Sequence, residues 1–224
     1  MLFAAAPDAM QPLSLWELLL AGGWVMIPLI LCSVIAVALI VICFLTLRPV
    51  HIVTDDLLKR LDPLLENDDL KGASALVADR PQAVARVLDA TLKFLYRHPE
   101  ASGESLKAIA EAEGGKLASE LHQRTLFLMD AGVLAPMFGL FGTVVGILRS
   151  FGSIAQQESS MRTMLLAGGV SQALIATAAG LVVGITALAF YSWFRGRAQY
   201  LISLLENHST ALVQEVIVIR QRSK

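Results

Sequence analysis

Charge is what this 224-residue chain has least of: 17% of its residues are charged, while 55% are hydrophobic and the mean hydropathy is +0.63. That balance excludes an ordinary water-soluble domain. Neither sign is in surplus, since 18 Lys and Arg face 19 Asp and Glu for a net charge of −1. Without a basic excess nothing holds nucleic-acid phosphates, and without a block of like charge there is no reason to expect a disordered tail. Cysteine is scarce too. Cys32 and Cys43 stand in one apolar run, and on a helix they would be roughly 16 Å apart, too far to pair. The four histidines, His51, His98, His122 and His208, lie in polar segments without a second His or Cys at ligand spacing, so no metal site is expected. Neither a Gly-x-Ser-x-Gly elbow nor a Gly-rich phosphate loop ending in Lys-Ser/Thr is present. The expectation is a chain that is not an enzyme, has no catalytic residues, and takes no cofactor and no nucleic-acid partner.

Long apolar runs are what the sequence does contain. Leu18 to Leu47 carries no charge over 30 positions, Thr125 to Leu148 carries only Asp130, and Thr163 to Phe194 carries none over 32. Because about 20 apolar residues cross the hydrocarbon as a helix, three spans are predicted, at 25–47, 125–148 and 163–194. The third run exceeds what a bilayer needs, so part of it should project beyond the lipid. A cleaved signal peptide would require a basic leader, whereas Met1 to Gln11 holds only Asp8; the first run is read as a retained span. Lys and Arg number none before span one, eleven in 48–124, two in 149–162 and five in 195–224. The positive-inside bias then puts 1–24 and 149–162 outside and the regions 48–124 and 195–224 in the cytoplasm. Trp16, Trp24, Tyr191 and Trp193 flank the spans as interfacial anchors.

The region 48–124 reads as helical. Pro81 can open a helix in which Val84, Val87, Leu88, Leu92 and Leu95 share a face, ended by His98-Pro99. After Ser102-Gly103, a second apolar face through Leu106, Ile109, Ala110, Leu117 and Leu121 leads into span two, interrupted only at Gly114-Gly115. Span two should therefore continue as a long helix into the cytoplasm. Asp62-Pro63 and Asn67 to Asp69 are read as turns. Leu201, Leu204, Leu205, Leu212, Val213 and Val216 make the tail amphipathic.

Spans two and three each carry a stripe of small residues centred on a threonine. Gly139, Thr143 and Gly146 align on span two with Gly142 beside them, and Ala173, Thr177, Gly180, Gly184 and Tyr191 align on span three. Gly142 to Gly146 and Gly180 to Gly184 are Gly-x-x-x-Gly spacings, so close helix packing accounts for the pattern, with Pro136, Gly139, Gly142, Gly146, Gly180 and Gly184 as the packing residues. Alternatively, Thr143 and Thr177 are hydroxyls able to line a hydrated ion path, although membrane threonines often bond only their own helix. The stripes leave both open. Asp130, the one charge in span two, is a weak candidate for the ion path; about 20 Å of helix separates it from Thr143, and a boundary carboxylate paired with Arg124 or with an adjacent subunit's arginine is the competing account.

Two segments resemble the MotA/TolQ/ExbB proton channel family, and its shorter ExbB/TolQ branch in particular. Ala135-Pro136-Met137-Phe138-Gly139-Leu140-Phe141-Gly142-Thr143-Val144-Val145-Gly146-Ile147 is similar to that family's Ala-Pro-Leu-Leu-Gly-Leu-Leu-Gly-Thr-Val-x-Gly-Met/Ile signature. Val170 to Ile185, with Gln172-Ala173-Leu174 and Thr177-Ala178-Ala179-Gly180-Leu181, is similar to its Ile-Ala/Ser-Glu/Gln-Ala-Leu-x-x-Thr-Ala-x-Gly-Leu segment. The resemblance implies a homopentameric helical bundle in the bacterial inner membrane, with the N-terminus periplasmic and the tail cytoplasmic. Spans two and three would surround the single helix of an ExbD/TolR-like subunit whose aspartate takes up the proton. Thr143 and Thr177 match the two pore threonines facing that aspartate. Gln172, a weak ion-path candidate, stands where relatives carry Glu or Gln, which leaves span three without an acid. Thr186 replaces a usual Pro, removing a kink, and Ser192 replaces a common Asn.

The expected fold is thus all-α with three membrane spans, the second and third extended into the cytoplasm. The expected function is a proton-channel subunit of an inner-membrane motor that drives a TonB- or TolA-type partner with the proton motive force. A non-conducting oligomeric scaffold and a sodium-driven relative are the alternatives.

Overall fold

The computed structural model describes residues 22–154 and 159–222. Trp16 and most of the predicted outer N-terminal segment lie outside them. The described elements are α1 (Met26–Thr46), one 3-10 turn (Pro49–His51), α2 (Asp55–Glu66), α3 (Leu70–Val77), α4 (Ala83–Arg97), α5 (Gly103–Ile154) and α6 (Ser159–Arg222). No strand occurs among the described residues. The expected all-helical fold is observed, and α1, α5 and α6 are each long and apolar enough to cross a membrane. With 52 and 64 residues, α5 and α6 are about 78 and 96 Å long at 1.5 Å per residue, far more than the roughly 30 Å of hydrocarbon. Helix takes up most of the predicted link at 149–162; residues 155–158 lie outside the described set.

Contacts divide the chain into two units. One takes in the described residues up to Ala38 together with Met129–Ala189, and the other Leu39–Leu128 with Phe190–Lys224. In the first, α1 buries a narrow stripe through Met26, Leu29, Cys32 and Ala36 while Ile27, Ile30, Leu31 and Val34 stay exposed. Such a helix, apolar all round and buried on one seam only, suits a lipid surround.

In the second unit, α2 buries Leu57, Leu61 and Leu65 on one face. Its Asp55 and Asp56 lie in the first turn, where the helix dipole favours acids. The turn predicted at Asp62-Pro63 does not form: Pro63 lies inside α2. An internal proline costs about 3 kcal/mol, but three buried leucines contribute about 1.5–3 kcal/mol each. Pro63 and Lys59 are both exposed, so water can reach the Lys59 carbonyl that loses its donor. The second predicted turn is present. Asp68 adopts φ 57°, and the Asp69 carboxylate accepts from Gly72 N–H at 2.9 Å to cap α3.

The predicted face of α4 is buried throughout, with Ala83, Ala85 and Thr91 added to it. Gln82, not Pro81, is its cap. Val84 N–H donates to Ile52 O at 3.0 Å, tying α4 to the segment after α1. The α5 helix starts where Ser105 N–H donates to Ser102 Oγ at 3.1 Å and runs unbroken through Gly114-Gly115, as the long helix expected of span two. Each glycine costs about 1 kcal/mol there, while Leu106, Ala110 and Leu117 on either side are buried. On α6, Leu201, Leu205, Leu212, Val213 and Val216 are buried as the tail pattern predicts, and Leu204 is half-buried.

Candidate functional site

In the first unit α5 and α6 touch along the small-residue stripes. A Cβ added to Gly139 would meet Ala176 O at 3.0 Å, Thr177 Cα at 3.1 Å and Gly180 Cα at 3.3 Å, and one on Gly180 would meet Ala135 O at 2.7 Å. Further along, an added Cβ would come 2.9 Å from Ala176 Cβ at Gly142, 3.0 Å from Ala173 Cβ at Gly146, and 2.8 Å from Gly132 O, beside the Pro136 ring, at Gly184. Numbers rise on one helix as they fall on the other, so the pair is antiparallel. Backbone meets backbone at this seam, a distance that only residues without a large side chain permit. All six predicted packing residues lie in it.

The two threonines differ. Thr143 Oγ1 donates to Leu140 O at 2.6 Å, a bond within its own helix. Thr177 Oγ1 instead donates across the seam to Gly139 O at 3.0 Å. Gly139 is four residues before Thr143, so the Thr177 hydroxyl reaches the helical turn that carries Thr143, whose own hydroxyl is held at Leu140 O. Both threonines are half-buried. With each proton committed to a carbonyl, the hydroxyl oxygens keep lone pairs free to accept.

Gln172 is half-buried and its amide nitrogen lies against Gly23. Gly23 has φ 70°, a backbone conformation that calls for glycine. The neighbouring Trp24 packs edge-on to Phe141 (ring centroids 6.1 Å apart) and lies under the Arg149 guanidinium at 5.9 Å. Val25 packs against Gly142, its Cγ1 3.1 Å from the point that a Cβ on this glycine would occupy. These contacts of Gly23 and Val25 were not legible in the sequence, because nothing in a spacing rule says which loop residue meets which span. Nor were two others: Cys32 Sγ donates to Ala131 O (3.6 Å), and Ser150 Oγ, bonded to Gly146 O (2.9 Å), occupies the space beside Gly169.

Asp130 is exposed on α5, about 13 Å of helix before Gly139. It belongs to none of the ion pairs among the described residues. Thr186 Oγ1 donates to Val182 O at 2.7 Å, and α6 passes it without a break. No group of three or more His, Cys, Asp or Glu able to hold a metal occurs among the described residues.

Three long apolar helices, two of them joined by a backbone-close seam with hydroxyls set into it, define a multi-pass α-helical membrane protein. The chain belongs to the MotA/TolQ/ExbB proton channel family, which residues 79–207 match. It is 33% identical over 174 residues to the ExbB-like 1 protein of Synechocystis sp., covering 77% of this chain and 67% of that one. To the Tol-Pal system protein TolQ of Pseudomonas aeruginosa it is 38% identical over 104 residues, covering 46% and 42%. To the biopolymer transport protein ExbB of Salmonella typhimurium it is 44% identical over 68 residues, covering 30% and 28%. The chain thus spans less than half the length of those TolQ and ExbB relatives. The seam lies inside the family match, so the resemblance seen in the two glycine-threonine segments extends well beyond them.

Proposed function

We propose that this chain is the channel subunit of an ExbB-ExbD/TolQ-TolR-like motor in the bacterial inner membrane. Copies of it, five by family resemblance, surround the single helix of a partner whose membrane aspartate carries the proton, and the motion passes to a TonB- or TolA-type protein. The N-terminus is periplasmic, while 48–124 and the tail are cytoplasmic; the distribution of Lys and Arg supports this.

The observation that carries the proposal is the Thr177 hydroxyl bonded across the seam to Gly139 O, one helical turn from Thr143. A carboxyl group in hydrocarbon is costly unless polar groups or water meet it. Hydroxyl oxygens whose own protons are already committed are acceptors for a protonated carboxyl or a water. The test is proton flux into liposomes containing this protein co-purified with its single-span partner. Flux should require the partner and fall at least tenfold with Thr177→Val while the complex stays assembled; undiminished flux in both Thr177→Val and Thr143→Val would sink the proposal.

The packed seam specifically favours a second reading, a non-conducting oligomeric scaffold in which both threonines only pack. Replacing protons by sodium across the same liposomes separates the third, a sodium-driven relative.

A further inference from the structure

Four arginines border the apolar stretches in the second unit: Arg48, Arg124, Arg195 and Arg197. Asp56, Asp89, Glu111 and Glu113 pair with other bases, and none of the four arginines has a carboxylate within 4 Å among the described residues. Two of them converge. Arg48 folds back so that its Nε donates to Phe44 O at 3.4 Å, and Arg197 Nε donates from α6 to Leu47 O at 3.4 Å. Both guanidiniums therefore sit at the carbonyl end of α1. Beside them, the Phe44 and Trp193 rings lie 5.1 Å apart. Trp193 and Arg197 are four residues apart on α6 and share a face. Aromatic surface on the apolar side and guanidinium on the polar side are thus contributed by both helices. Phe44 and Trp193 remain 45% and 54% exposed.

Charge decides what this notch lacks. The end of α1 offers the equivalent of about half a negative charge, against two full positive ones. Each arginine spends Nε on a carbonyl and keeps its terminal nitrogens, the pair that grips a phosphate. At the edge of a membrane span the anion at that depth is a lipid headgroup. We propose that Arg48 and Arg197 bind the phosphate of an anionic phospholipid whose acyl chain runs along Phe44 and Trp193. The site is separate from the threonine seam and does not depend on proton conduction.

Full-length protein would be extracted from membranes and its retained lipids counted by native mass spectrometry, as wild type, as Arg48→Ala/Arg197→Ala, and as Arg195→Ala. Removing charge-assisted bonds to a phosphate weakens binding about tenfold or more. Retained phosphatidylglycerol should fall by that factor in the double variant and hold in Arg195→Ala. Equal retention in the double variant, or equal loss in Arg195→Ala, overturns the site. Inorganic phosphate added to the wild type should leave the lipid in place; displacement would assign the notch to the free ion instead. A second measurement needs no arginine variant: with Trp16 and Trp24 changed to Phe, Trp193 fluorescence should be quenched more by brominated phosphatidylglycerol than by brominated phosphatidylcholine. Equal quenching by the two would count against the proposal as strongly as unchanged retention.

Discussion

Thr177 and Thr143 have the same side chain and adjacent places, yet their bonds differ in what removal should do. Thr177→Val deletes a cross-helix hydrogen bond, worth about 0.6 kcal/mol in comparable membrane helices, and keeps the shape of the side chain. Thr143→Val deletes only a bond to its own helix. Thermal stability in detergent should therefore barely separate either variant from wild type, and a large loss of flux in Thr177→Val would have to come from the ion path. Glu215 presents a different case at the same scale. Exposed along one edge, it shares a cleft with Asp62, Glu66, Gln214 and Arg222, and partial burial, then Asp62 and Glu66, push its carboxyl above the ordinary carboxylate value. Between the ordinary and the raised value the folded chain binds more protons than the unfolded one, so this group's contribution to stability falls as pH rises through that window. Glu215→Gln should protect α2 and the end of α6 from hydrogen exchange at neutral pH, and the gain should shrink as pH is lowered into the carboxylate range. A gain independent of pH would mean that charge is not its cause.

For whole elements the seam between α5 and α6 is decisive. A leucine at Gly180 would drive a side chain into Ala135 O and Gly139, where even a Cβ finds only 2.7 and 3.1 Å. Backbone cannot yield as a flexible side chain can, so the helices must part. Gly180→Leu should lower the melting temperature and the yield of assembled complex, as read by size-exclusion chromatography with light scattering. Gly114→Leu is the matched control on α5, since nothing lies within 4 Å of its Cβ position, and it should leave assembly unchanged. If Gly180→Leu assembled normally, the seam would not be holding these helices together. The difference between the two glycines is one of surroundings alone, because both sit in the interior of a long helix.

The proposed arrangement of the whole molecule in its membrane rests on where charge falls along the chain. Single cysteines placed at Ser102 and Ser223, with Cys32 and Cys43 changed to Ala, should react with a membrane-impermeant thiol reagent only after the inner membrane is opened. A cysteine at Ser153 should react in intact spheroplasts. The opposite labelling would invert the predicted topology and, with it, the direction in which protons would pass the threonines.

The apolar runs, the helix faces of α4 and the tail, and the two family-like segments were all legible in the sequence. Each depends on residue type and spacing along one chain, and a membrane imposes a length that spacing alone reports. Only the tertiary structure decided the rest. Pro63 stayed inside α2 because its leucines are buried, which a local propensity cannot weigh. The sequence also placed Thr143 and Thr177 on similar stripes and left them equivalent. Their difference, one bonded at home and one across the seam, arises from the antiparallel register that sets Thr177 against Gly139, and register is a relation between two helices that neither sequence segment contains.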